Sequence, residues 1–247
     1  MAEVLASLDS SILTLSLNRP EKQNAITRDM YQFMADQLKE ANGDFGVRAV
    51  LITHEGPHFT AGNDLYDFLD APPLEPGSPV MQFLEQIHTF TKPLLAAVSG
   101  NAVGIGTTML MHCDVVIASP STKLSMPFVN LGLVPEAGSS ILFPRLVGYQ
   151  RAAQIFLTGE PFCSDYAKEI GLIAEISDQP RQKANEFAAK IAAQPPNAVI
   201  QTKALIKSEL HDKVSAVIAA EGELFQMAVQ SDEAREAFMN FLAKKGK

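Results

Sequence analysis

Short apolar segments with strand-like patterns alternate with a helical segment in the first half of the chain. Leu13, Leu15 and Leu17 alternate with polar residues, which is typical of a strand with one buried face. Three further apolar runs of strand length follow, at residues 47–53, 94–99 and 115–118. Because strands that are separated by helices need crossover connections, this alternation predicts an α/β fold with largely parallel strands.

The helix of this first half is predicted to begin after Thr27, a suitable N-cap residue. Apolar residues recur there at helical spacing: Met30, Phe33, Met34, Leu38 and Ala41. The pattern ends near Asn42-Gly43. Residues 71–79 contain four prolines and a glycine, which predicts an exposed loop. Residues 100–111 are rich in small side chains and predict a loop that opens a helix.

The last quarter of the chain has a helical pattern throughout. Pro195-Pro196 separates the first two of four candidate helices, which cover residues 181–194, 198–208, 213–229 and 232–243. We therefore divide the chain into a core domain, residues 1–180, and a C-terminal helical region, residues 181–247. The apolar positions of that region must be buried against the core or against another subunit.

Composition and charge exclude several classes of function. The 247 residues have a net charge of -8 and are 47% hydrophobic, so a nucleic-acid-binding surface is not expected. Cys113 and Cys163 lack metal-ligand spacing, and no metal site is expected. The N-terminus lacks a signal-peptide pattern, and no apolar run approaches the length of a membrane span. We expect a cytoplasmic protein.

Glu136 is the leading candidate for chemistry. It lies between an apolar approach, Leu131–Val134, and the small residues 137–140. Apolar surroundings raise the pKa of a carboxyl group because they disfavour its charged form, and such an acid suits proton transfer near neutral pH. The alternative is that Glu136 only interacts with the N-terminus of the following helix.

Two glycine-containing turns follow apolar segments. The segments 58–65 and 100–106 each lead towards a possible helix start. Exposed backbone N–H groups at two such turns, if they converge, can bind an oxyanion. The alternative for each segment is a tight turn that binds no ligand.

Several motifs, taken together and in order, resemble the enoyl-CoA hydratase/isomerase (crotonase) superfamily. They are Asn18-Arg19-Pro20, Asn24-Ala25, Ala61-Gly62-Asn63-Asp64-Leu65, Lys92-Pro93 leading to Gly100, Cys113-Asp114, Leu131-Gly132 and Pro135. The resemblance implies a crotonase spiral of ββα repeats with a C-terminal helical extension that supports trimers or hexamers. It implies an acyl-CoA thioester substrate, a role in fatty acid metabolism such as β-oxidation, and no cofactor apart from the coenzyme A of the substrate.

The same resemblance assigns roles to individual residues. The oxyanion hole is expected at the backbone N–H groups of Asn63 and Ile105. Substrate contacts are expected from Arg19, Ala25, Ala61, Gly62, Leu65, Gly104 and Phe128, and from Phe241 and Lys244 in the last helix. The alternative for the last two residues is an ordinary amphipathic helix with a solvated lysine. Asp64 is expected to stabilise its turn through hydrogen bonds to the backbone.

The residues at the family's catalytic positions favour isomerase activity over hydratase activity. Hydratases of this family use two glutamates, and the matching positions hold Thr108 and Phe128, neither of which is a general base. Glu136 instead matches the single glutamate of peroxisomal-type Δ3-Δ2-enoyl-CoA isomerases. The resemblance therefore implies an isomerase in which Glu136 moves a proton from C2 to C4.

Four alternatives remain open at this point. A single acid with a trapped water could support weak hydratase activity, and the loss of both hydratase glutamates fits an acyl-CoA-binding paralogue without turnover. Dehalogenases of the superfamily use an aspartate nucleophile at the position of Glu136 and a tryptophan, but this chain has no tryptophan. The RNA-binding branch uses a lysine-rich helix, which fits poorly with an acidic chain.

Overall fold

The computed structural model describes residues 2–70 and 75–245, without the side chains of residues 68–70 and 241–245. Nine strands are present in these ranges: β1 (Val4–Asp9), β2 (Ile12–Leu17), β3 (Ala49–His54), β4 (Leu94–Val98), β5 (Asn101–Val103), β6 (Val115–Ala118), β7 (Lys123–Ser125), β8 (Phe162–Cys163) and β9 (Glu175–Ile176). The helices are α1 (Arg28–Gly43), α2 (Leu65–Asp70), α3 (Pro79–Thr89), α4 (Ile105–Thr108), α5 (Ser139–Val147), α6 (Tyr149–Thr158), α7 (Ser164–Glu169), α8 (Pro180–Ala192), α9 (Pro196–Lys207), α10 (His211–Val229) and α11 (Asp232–Lys245).

The strands form two sheets. The larger sheet has the order β1-β2-β3-β4-β6-β9, and the smaller sheet has the order β5-β7-β8. In the larger sheet only the β1–β2 hairpin is antiparallel, while the pairs from β2 to β9 are parallel. The predicted α/β class with largely parallel strands is confirmed.

Both faces of the larger sheet are covered, which explains why its central strands are continuous apolar runs. Successive side chains of a strand point to opposite faces. Leu13, Val50 and Ala96 point into the main core with α1 and α3. Ile12, Leu51 and Leu95 point the other way, against Ala184 and Ala188 of α8. The first helix of the C-terminal region is therefore part of the sheet packing.

The structure corrects three details of the sequence predictions. Phe33 belongs to the predicted buried stripe of α1 but is 40% exposed, and Tyr31 is buried instead. Residues 100–111 do not begin as a loop, because β5 precedes α4. Pro79 is the first residue of α3, capped by Ser78. Residues 71–74 of the predicted proline-rich loop lie outside the described residues.

The predicted C-terminal helices are confirmed, with ends that differ by at most two residues. Helix α10 packs against α3, α5 and α11. Helix α11 crosses the turn at Gly132 so closely that a Cβ atom there would lie 2.9 Å from the backbone of Ala234. Within the described ranges, no helix has the length and apolar character needed to cross a membrane.

Asn24 connects the loop after β2 to the segment after β3. It is fully buried and has a left-handed backbone with φ of 54°, a conformation that asparagine tolerates better than most residues. Its Oδ1 accepts a 2.7 Å hydrogen bond from the Arg19 amide, and its Nδ2 donates to the carbonyls of Glu55 and His58. One side chain thus holds three backbone groups together.

We predict that Asn24→Ala destabilises the protein by about 3 kcal/mol, because three polar backbone groups lose their partner and alanine is strained at a positive φ. Urea unfolding followed by circular dichroism measures this change. The matched control is Asn197→Ala, an exposed site in α9, which should change stability by less than about 0.5 kcal/mol. Equal effects of the two substitutions would contradict the role given to Asn24.

Candidate active site

A cavity of about 1260 Å³ lies between the loop after β2, the turn before α2, the start of α4 and the C-terminal helices. Seven of the substrate-contact residues that the sequence predicts line this cavity: Arg19, Ala25, Ala61, Gly62, Leu65, Gly104 and Phe128. Asn63 also lines it. Phe241 and Lys244 belong to α11, but their side chains lie outside the described residues. The family-derived positions therefore lie largely around one space.

The two glycine-containing turns lie side by side. Thr60 and Ala102 form a parallel bridge, and the Val103 amide donates a 3.1 Å hydrogen bond to the Thr60 carbonyl. Gly62 has φ of 89°, and a Cβ atom there would lie 2.9 Å from the Val103 carbonyl oxygen. Only glycine allows this approach without strain, so the turn that carries Asn63 packs directly against the segment that leads into α4.

The Asn63 and Ile105 amides are available as donors. Ile105 is the first residue of α4, after Gly104 with φ of 56°. Among the described residues, neither amide donates a hydrogen bond to a protein acceptor. First-turn amides of a helix have no partner within the helix. Two unpartnered N–H groups on adjacent turns are the donor set that an oxyanion requires.

Tyr31 of α1 is a site residue that the sequence does not indicate. Its hydroxyl donates a short hydrogen bond to Oδ1 of Asn63, so a core side chain fixes a residue that lines the cavity. Burial raises the pKa of Tyr31 well above its usual range, and the nearby Glu136 raises it further. The tyrosine therefore remains neutral and lies within the electrostatic reach of Glu136.

Glu136 is buried, with 3% of its surface exposed. Its Oε1 accepts a 2.5 Å hydrogen bond from the Thr108 hydroxyl of α4. Burial raises the pKa of Glu136 to about 8, while the hydrogen bond from Thr108 lowers it and the nearby Glu221 raises it. A carboxyl group in this state exchanges a proton near neutral pH.

The position of Glu136 differs from that of the other site residues, because it does not line the cavity. Ile105 does not line it either and is 1% exposed. The residues that line the cavity include Leu133, three positions before Glu136, and Gly104, which precedes the helix of Thr108. Short segments of the chain therefore connect the buried acid and its hydrogen-bond donor to the wall of the cavity.

The helix-capping alternative for Glu136 is wrong. The backbone N–H groups of Gly138 and Ser140, at the start of α5, donate to the carboxylate of Glu221. Glu136 itself bonds to Thr108. Glu221 lies in α10 and is a site residue that the sequence analysis missed, although it is an acid at a buried position of an amphipathic helix.

Arg19 and Asp64 form the rim of the cavity. Nη1 of Arg19 donates to Asp64 Oδ2 at 2.6 Å and to the Ala25 carbonyl at 3.0 Å. The Tyr66 amide donates to the other Asp64 oxygen at 3.1 Å. Burial alone would raise the pKa of Asp64, but these hydrogen bonds and the Arg19 charge lower it. The interactions agree with the turn-stabilising role expected for Asp64.

These features identify the class of the protein. The family model for enoyl-CoA hydratase/isomerase matches residues 7–247. The chain belongs to this family and is an enzyme with acyl-CoA hydratase/isomerase activity, which confirms the superfamily resemblance. Within the described residues, no group of three metal-ligating side chains could hold a metal ion.

Relatives with different activities are similar to this chain to almost the same degree. The 2,3-dehydroadipyl-CoA hydratase of Escherichia coli is 30% identical over 99% of this chain and 97% of its own length. Human enoyl-CoA delta isomerase 2 is 34% identical over 99% of this chain and 64% of its own length. Identity alone therefore does not distinguish hydration from isomerisation.

Solved structures agree with the fold over nearly the whole chain. An enoyl-CoA hydratase/isomerase from Pseudoalteromonas atlantica T6c is 38% identical with a TM-score of 0.94, over 98% of each chain. OdaA from Pseudomonas aeruginosa is 42% identical with a TM-score of 0.95, over 98% of this chain and 99% of its own. The crotonase fold with its C-terminal helices is confirmed.

We predict that the Glu136 carboxyl titrates near pH 8 and that Thr108→Val raises this midpoint further, because the hydroxyl favours the charged form. Infrared difference spectra between pH 6 and pH 10 record the carboxyl signal, and Glu136→Gln identifies it. Since the pKa in the folded protein exceeds the ordinary glutamate value of 4.5, the folded state binds the proton more tightly. The stabilisation from this group should therefore decline as the pH rises from about 4.5 to about 8.

Proposed function

We propose that the protein is a Δ3-Δ2-enoyl-CoA isomerase in which Glu136 moves the proton. The observation that carries this proposal is one buried carboxyl group with a pKa of about 8, next to the turns that present the Asn63 and Ile105 amides. The positions of the two hydratase glutamates hold Thr108 and Phe128. Thr108 is a hydrogen-bond donor to Glu136, and Phe128 lines the cavity.

The reaction begins at C2 of a 3-enoyl thioester. The Glu136 carboxylate takes the C2 proton, and the C2–H electron pair moves into the conjugated system, which gives a dienolate with its charge on the thioester oxygen. The Asn63 and Ile105 amides donate to this oxygen. The neutral Glu136 then returns the proton at C4, which leaves a double bond between C2 and C3. Atoms and charge balance without water.

The pKa of Glu136 suits both halves of this exchange. At pH 7 a carboxyl group with a pKa of about 8 is ionised in roughly a tenth of the molecules, so the base form is present. The same raised pKa makes the carboxylate a stronger base than a solvated glutamate. The raised pKa also keeps Glu136 protonated after it has taken the C2 proton, so that it can donate this proton to C4.

The cavity supplies the features that a coenzyme A thioester needs. Lys22 lines the cavity beside Arg19 and is a cation that can face a phosphate group, while Arg19 is paired with Asp64 and Glu3. Leu131, Leu133 and Phe225 line an apolar part that suits an acyl chain. We include Phe241 and Lys244 of α11 as further substrate contacts. The coenzyme A of the substrate is the only cofactor-like group in the proposal.

The second candidate is an enoyl-CoA hydratase, because hydratases are among the similar proteins. A hydratase must position a water molecule against the double bond. The other acid near Glu136 is Glu221, and both of its oxygens accept backbone hydrogen bonds. It is therefore poorly placed to activate water, and we expect hydration to be the weaker activity.

We predict that Glu136→Gln lowers isomerase turnover by at least about 10²–10³, the typical cost of removing one oxyanion-hole donor, because a glutamine cannot take the C2 proton. Conversion of 3-hexenoyl-CoA is followed by the absorbance of the conjugated product, and hydration of a 2-enoyl-CoA is measured in parallel. Glu160→Gln, at an exposed site, is the matched control and should keep full turnover. A Glu136→Gln enzyme with near-normal turnover would refute the assignment, and faster hydration than isomerisation in the native enzyme would favour the second candidate.

We also propose that the C-terminal region, residues 181–247, supports a homotrimer or a hexamer and that the protein acts in the cytoplasm. Leu205 and Ile206 of α9 are 76% and 78% exposed, which is unusual for adjacent large apolar side chains and favours burial by another subunit. Light scattering should give three or six times the chain mass of 26.7 kDa. A monomer at micromolar concentration would contradict this prediction.

A further inference from the structure

Helix α10 has one acidic residue on its buried face. Val214, Ile218 and Phe225 are buried at helical spacing, and Glu221 lies on the same face with 6% exposure. Glutamate is rarely buried unless it is paired, since burial of an unpaired carboxylate costs free energy. The position of Glu221 therefore needs an explanation beyond packing.

The partners of Glu221 are backbone groups next to Glu136. Its Oε2 accepts a 2.6 Å hydrogen bond from the Gly138 amide, and its Oε1 accepts a 2.9 Å hydrogen bond from the Ser140 amide. Gly138 is the N-cap residue of α5 and has no side chain to provide a cap. A residue 83 positions away in the chain therefore satisfies the first turn of this helix.

The turn between Glu136 and α5 has an unfavourable backbone. Ala137 and Gly138 both adopt left-handed conformations, with φ of 63° and 70°, and this conformation is costly for alanine. His112 holds the turn from a second direction, because its Nε2 donates to the Ala137 carbonyl at 2.7 Å. A Cβ atom on Gly138 would lie 2.9 Å from Val214, so α10 packs directly on the turn.

We propose that Glu221 is a positioning residue for Glu136, because its carboxylate fixes the strained turn that aims the catalytic acid. The inference rests on the proposed function of Glu136. Glu221 touches neither cavity nor substrate in this role. It acts through the Gly138 and Ser140 amides, while Thr108 holds the Glu136 carboxyl itself.

Among the described residues, the titratable side chains that contact or act on Glu136 and the turn are Tyr31, His112 and Glu221. Burial keeps Tyr31 neutral by raising its pKa, and burial lowers the pKa of His112 to about 3. Burial also raises the pKa of Glu221, while its hydrogen bonds from Ser140 and Gly138 lower it. Where Glu221 is ionised, its charge raises the pKa of Glu136. Removal of that charge should shift the pH dependence of the reaction towards lower pH.

The decisive experiment is the pH dependence of kcat and KM for 3-hexenoyl-CoA with Glu221→Gln in the full-length enzyme. A Gln side chain removes the charge and places an amide N–H against one of the two backbone donors. We expect kcat to fall by about tenfold or more, KM to stay within about twofold, and the midpoint of kcat/KM to move to lower pH. Glu223→Gln, exposed on the same helix, is the matched control and should change neither constant.

A second variant separates position from charge. Glu221→Asp keeps the negative charge but is shorter by one methylene, so it should lower kcat while the pH midpoint stays near that of the native enzyme. If Glu221→Gln does not fold, Glu221→Asp decides alone. A folded Glu221→Asp enzyme with native kcat would overturn the inference, as would a Glu221→Gln enzyme with native kcat and pH midpoint.

The same assay separates this inference from the proposed function. If Glu136→Gln is inactive while both Glu221 variants behave like the native enzyme, only the positioning role fails. If Glu136→Gln keeps native turnover, the proposed function fails first, whatever the Glu221 variants do.

Discussion

Removing a carboxyl group from water is the constraint to which the rest of the site responds. An ionised carboxylate in apolar surroundings is costly, and the group lowers that cost by binding a proton or by finding donors. Glu136 has one donor, the Thr108 hydroxyl, and its pKa rises to about 8. Burial raises the pKa of Glu221 too, but two backbone donors lower it. The two acids thus differ in the number of donors that offset their burial.

The turn between these acids shows how local strain is balanced. Ala137 in a left-handed conformation costs on the order of 1 kcal/mol. A hydrogen bond to a charged group contributes about 1.5–3 kcal/mol, and Glu221 accepts two of them from this turn. The His112 bond to the Ala137 carbonyl adds a third interaction. The interactions therefore outweigh the strain, and the side chain of Glu136 can be held in one direction.

The sequence predicts the parts of the fold that have a clear hydrophobic pattern. The strand β2 is identifiable from alternation, β3, β4 and β6 from continuous apolar runs, and the four C-terminal helices from helical spacing. The strands β5, β7, β8 and β9 have two or three residues each, which is too short for a period. Phe33 is predicted to be buried in α1 but is exposed. Helical spacing predicts the helix, but it does not decide which of two neighbouring rows of side chains faces the core.

The candidate site is predictable only for residues that lie in a recognisable sequence motif. Glu136, Asn63 and Ile105 lie in such motifs. Tyr31 and Glu221 act across 32 and 83 positions of the chain, and a single sequence contains no signal for such pairs. The one hint of Glu221 in the sequence is an acidic residue on the buried face of α10. Its partners are backbone amides, which every residue except proline has, so the sequence does not identify them.

The replacement of an acid by Thr108 bears directly on the choice between the two chemistries. A second carboxyl group at that position would lie next to Glu136, and two such acids share protons because like charges disfavour joint ionisation. That arrangement suits activation of a water molecule. A threonine hydroxyl instead donates one hydrogen bond to Glu136 and does not ionise near neutral pH. In the proposed reaction, a proton taken from C2 would therefore stay on Glu136 until it returns to the same conjugated carbon chain.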